Sequence, residues 1–70
     1  MKYIVIEIQT SQDGAVGNIV NSYDSRNQAE QQFHTILAAA AVSQLAIHTA
    51  VLMTNSGETL SMGVYTHGNE

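Results

Sequence analysis

A single α+β domain spanning residues 1–70 is predicted, with element order ββαββ and one helix packed on one face of a four-stranded, mainly antiparallel sheet. Three observations predict it. β-Branched and other apolar residues alternate at both ends of the chain, a Gly-containing turn divides each of these regions into a hairpin, and the segment between them has helical spacing.

In the first strand, Tyr3 to Gln9, Ile4, Ile6 and Ile8 lie on one face and Tyr3, Val5 and Glu7 on the other. The isoleucine face is expected to be the buried one. Asp13-Gly14, within the turn Ser11 to Gly14, supplies left-handed conformations, and Val16 to Tyr23 reads as the returning strand. Gly17 and Asn21 weaken that strand, because a glycine there either permits close approach of another backbone or marks a bulge.

Ser25 is the predicted helix N-cap. Gln28 stands at the capping-box position, and Asp24 places negative charge at the helix start. The helix is expected to run to Val42 or Ser43, with Ala29, Phe33, Ile36, Leu37, Ala40 and Ala41 as its apolar stripe. Ile47 to Thr54 and Thr59 to Thr66 form a second hairpin around Ser56-Gly57. A two-residue loop would pair Met53 with Leu60, Val51 with Met62, Thr49 with Val64 and Ile47 with Thr66. The opposite face would then pair Leu52 with Ser61, Ala50 with Gly63 and His48 with Tyr65.

One helix cannot cover both faces of a sheet. The second face is expected to carry Tyr3, Val5, Val16 or Val20, Ala50, Leu52 and Tyr65, a mixture too apolar to be wholly wet. The run Ala38-Ala39-Ala40-Ala41 forms a shallow ridge that Val42 widens, and it is read as a close helix contact with another subunit. A domain this small buries only about 60% of its unfolded surface, so assembly would supplement its core. A homo-oligomer is therefore expected, a dimer first and a tetramer second, with Ala38, Ala39, Ala40, Val42, Val5 and Leu52 at its interfaces.

Composition narrows the chemistry. The chain has no cysteine, which removes disulfides, thiolate metal sites and cysteine nucleophiles. Its formal charge is -4, with Lys2 and Arg26 the only Lys or Arg residues, too few to neutralise a phosphate backbone. No nucleic-acid partner is expected. The longest apolar run, Ile36 to Val42, is far short of the roughly 20 residues that span a bilayer. With a strand pattern starting directly after Met1-Lys2, the cytoplasm is the expected location.

The histidines and acids form no recognised catalytic or metal motif. Glu30 and His34 share a helix face and suggest a local pair, while His48 beside Tyr65 suggests a cross-strand pair. Ser22, Asp24 and His34 include the triad residue types without triad support. Glu7, unusual in an apolar strand, is expected to face solvent or meet a donor such as Lys2, Tyr65 or a partner's backbone. No catalytic residue, metal or cofactor is assigned.

The segments Tyr3 to Thr10, Ala15 to Asn18, Ser22 to Glu30 leading into Phe33-His34, Ile36 to Ser43, His48 to Met53 and Tyr65 to His67 together resemble a family of short hypothetical proteins found in gut Firmicutes and in their phages and mobile elements. The resemblance covers nearly the whole chain and implies no activity, cofactor or catalytic residue. It implies a setting in which small oligomeric accessory or host-modulating proteins are common.

The expected function is non-enzymatic: a homo-oligomeric accessory protein that binds another macromolecule, such as a basic host protein attracted by the acidic surface. The alternative expectation is a small-molecule or nucleotide-signal binder with pockets between subunits. Its ligand residues would be Tyr3, Glu7, His48 and Tyr65 on the uncovered face.

Overall fold

The computed structural model describes residues 1–67 and contains β1 (Tyr3–Thr10), β2 (Val16–Tyr23), α1 (Arg26–Ala41), β3 (Ile47–Thr54) and β4 (Thr59–Thr66). The ββαββ prediction holds: the strands form one sheet in the order β2-β1-β3-β4, every neighbouring pair antiparallel. The two hairpins thus lie side by side, joined through the central pair β1 and β3.

Both turns use glycine in the left-handed region, with φ at +93° for Gly14 and +98° for Gly57. In the first turn the Ser11 amide donates to the Ala15 carbonyl at 2.8 Å, and β1 pairs with β2 along its whole length. Gly17 marks no bulge in that register, and nothing lies within 4 Å of where its Cβ would be. β2 is a free edge, exposed at every residue except the half-buried Tyr23.

The second turn is longer than the two-residue loop expected. The Thr54 amide donates to the Glu58 carbonyl at 2.9 Å, and the Thr54 hydroxyl lies 2.8 Å from that of Ser56. A bulge between Leu52 and Met53 then pairs Met53 with Thr59 rather than Leu60. Leu60 turns instead toward the core, while the other expected pairs, from Leu52 with Ser61 to Ile47 with Thr66, are present.

Ser25 caps α1, its hydroxyl accepting from the Gln28 amide at 3.5 Å. Val42 forms the C-cap. Ala29, Phe33, Ile36 and Ala40 are buried and Leu37 is half-buried, whereas Ala41, expected in the same stripe, is exposed.

The helix covers the opposite face from the one expected. Val5, Ala50 and Leu52 are fully buried beneath it, while Ile4, Ile6 and Ile8 remain half-buried on the open side. Shape explains the choice. Phe33, Ile36 and Leu37 bring their own bulk and fit best over small sheet residues, and the face with Ala50 and Gly63 is the shallow one. A Cβ on Gly63 would stand 2.7 Å from Leu37 Cδ2, so the missing side chain is the seat of Leu37.

Candidate functional site

Two features stand out on this frame: a polar cluster under the C-terminal end of α1, and the open face of the sheet. The cluster arises from register. Gln9 pairs with His48 and Glu7 with Ala50, which makes Glu7 and His48 diagonal neighbours on the helix-covered face. Glu7 Oε2 lies 2.6 Å from His48 Nε2 and accepts from Gln9 Nε2 at 2.8 Å. His48 Nδ1 lies 3.3 Å from the hydroxyl of Ser43, just beyond the helix cap.

Burial alone would push the Glu7 carboxyl up. The hydrogen bonds from Gln9 and His48, with the attraction of a His48 imidazolium, outweigh it together and hold the carboxyl below its ordinary value. Nearby, His67 Nε2 donates to the Ala40 carbonyl at 2.8 Å, and its ring stacks at 6.4 Å on Tyr65. α1 has no basic residue in its last turn, and the imidazoles of His48 and His67 tie down its C-terminal end from the sheet.

Of the four ligand residues expected on an uncovered face, Glu7 and His48 are brought together but lie beneath the helix, with side-chain exposures of 16% and 5%. Tyr3 is half-buried against the core, and Tyr65 pairs with His48 at the β4 edge, exposed and stacked on His67. Ser43, His48 and Glu7 follow the order hydroxyl, imidazole, carboxylate. With His48 buried and both its ring nitrogens engaged, the line braces the helix against the sheet. A polar depression of about 460 Å³ lies elsewhere, lined by Tyr23, Gln28, Gln31, Gln32 and Thr35.

The remaining expectations divide. Glu30 bonds Arg26 at 2.9 Å instead of His34, whose ring meets Phe33 edge-on at 5.3 Å. Lys2 pairs with Asp24. Among the expected interface residues Val5, Leu52 and Ala40 are fully buried within the chain, which removes them as contact surface, whereas Ala38, Ala39 and Val42 are exposed. Ser43 and Gln9 belong to the polar cluster and went unassigned from sequence: each bonds a near neighbour in the chain, Ser43 to His48 and Gln9 to Glu7, and the two pairs become one cluster only where β1 pairs with β3.

The open face is the larger feature. It presents Ile4, Ile6, Ile8, Val51 and Met53 along the two central strands, flanked by Val16 and Val20 on β2 and Met62 and Val64 on β4. Val16 and Met62 are each 65% exposed, Val20 58% and Val64 48%. The other positions in its register are Thr, Ser, Asn or Ile47, and no charged side chain stands at any of its paired positions. No helix among those residues is long and apolar enough to cross a membrane, and they contain no cluster of three or more metal-binding side chains. Set beside known protein families, curated proteins and solved structures, the chain matches none of them.

Proposed function

We propose that the protein works by association: a small cytoplasmic, homo-oligomeric accessory module that binds another macromolecule and performs no chemistry of its own. The open sheet face carries this reading. A contiguous field of isoleucine, valine and methionine in contact with water is unfavourable at about 25 cal/mol per Å², and apolar patches of this kind mark interaction surfaces. The polar cluster does not compete as a ligand site, because Glu7 and His48 satisfy one another beneath the helix. The net charge of -4 favours a basic partner, whose approach it would accelerate.

Immobilised protein and a Met62→Glu variant, compared on one lysate, test the proposal. Met62 is exposed, so the variant is expected to keep its fold by circular dichroism while losing a reproducible set of proteins that the parent retains. That loss follows whether the face touches the partner or holds together the assembly that does. Retention of the same set by both proteins, or of none by either, would refute it.

A further inference from the structure

The open face is also complementary to itself. Resting on the association reading, we infer that its occupant is a second copy of this chain. Two open faces stack into a four-layer helix, sheet, sheet, helix dimer, with the two-fold axis in the plane between the sheets.

Size is the first argument. Four strands about 4.8 Å apart and eight residues long at about 3.3 Å each give a footprint of about 500 Å² per copy. The pair therefore covers about 1,000 Å² before side-chain relief is added, which brings it to the lower end of the about 1,200–2,000 Å² of stable specific interfaces. Twisted sheets of this kind stack about 10 Å apart with strands offset by about 30°.

Charge is the second. Two copies each carrying -4 would repel if their acids met, but no acid occupies a paired strand position of this face. Glu7 is under α1, Glu30 is on α1, Asp24 lies past the end of β2 and is paired with Lys2, and Asp13 and Glu58 sit in the hairpin turns. A neutral surface suits a neutral partner, and an identical face is one.

Layout is the third. Aliphatic residues reach across all four strands, from Val16 and Val20 on β2 through Ile4, Ile6, Ile8 and Val51 to Met62 and Val64 on β4, with only Thr, Ser and Asn between them, so a second copy can cover the whole width of the sheet. Stacking also turns a surface into a second core for a chain whose own core is small.

Sedimentation of the full chain at micromolar concentration, with Met62→Glu and Ala38→Glu variants, tests the inference. The parent and Ala38→Glu, whose substitution is on the outer side of the helix, are expected at dimer mass. Met62→Glu is expected to raise the dimer dissociation constant about 100-fold or more, because stacking would bury an unpaired carboxylate. Should that variant fail to fold, isotope-filtered NMR on mixed labelled and unlabelled parent chains decides the matter, through contacts between Ile6 and Val51 methyls of different copies.

A monomeric parent would overturn the inference, and so would a dimer dissociated by Ala38→Glu but not by Met62→Glu. If the parent is monomeric yet Met62→Glu still abolishes lysate binding, the face has another occupant: binding to another macromolecule survives and the homo-oligomer falls. If neither effect appears, both fall.

Discussion

Replacing His48 with alanine leaves the Glu7 carboxylate beneath the helix with Gln9 as its remaining side-chain partner. A charge-assisted hydrogen bond contributes about 1.5–3 kcal/mol, and breaking a fully buried pair costs about 3–5 kcal/mol. Glu7 keeps 16% of its side chain exposed, and Gln9 stays bonded, so the lower part of that span applies. The expected loss is about 2–3 kcal/mol, a urea midpoint lower by about 2 M for a chain of this size. The pH dependence has a definite sign. Because the Glu7 carboxyl is held below its ordinary 4.5 in the folded chain, its contribution is complete above that value and is lost as pH falls through the lower folded one. The parent and Glu7→Gln should therefore converge in stability toward acid. A His48→Ala loss below about 0.5 kcal/mol, or a parent-to-Glu7→Gln difference constant from neutral pH to pH 3, would refute the idea that this pair holds the helix to the sheet.

Leu52→Ala empties a fully buried position and should remove about 2–5 kcal/mol in denaturant unfolding, enough to unfold much of a domain this small. Gly63→Val drives a side chain into Leu37 and should cost about 1–3 kcal/mol, part of which Leu37→Ala in the same chain restores. Ser25→Ala removes a cap whose hydrogen bond is already long, so a loss of about 0.5–1 kcal/mol is expected in thermal unfolding. Lys2→Ala breaks an exposed ion pair with Asp24 and should leave the melting temperature nearly unchanged.

What the sequence made legible was local. The Ser25 cap, the two glycine turns and the pairs from Leu52 with Ser61 to Ile47 with Thr66 depend on neighbours within a few residues or across one hairpin. The pairing of β1 with β3 is not local, and no turn sets its register. Glu7 and His48 could therefore be placed on a common face, but their contact across 41 positions could not be foreseen. The choice of covered face was hidden for another reason. Bulk in Ile4, Ile6 and Ile8 suggested a core, although the helix brings that bulk itself and the pertinent signal was the smallness of Ala50 and Gly63.

Strand β2 ends the sheet with Val16-Gly17-Asn18-Ile19-Val20-Asn21-Ser22-Tyr23, a border with neither proline nor charge, and β4 at the other margin has neither as well. Outward-facing amides and carbonyls there offer the hydrogen-bonding pattern that any extended chain can complete. Covering the broad face leaves these borders open, so concentrated protein is expected to grow sideways, strand upon strand, into ribbons. Lysine at Asn18 or Asn21 would act as a gatekeeper against such growth, which makes the outer strand, more than the core, the place that governs how much of this protein remains in solution.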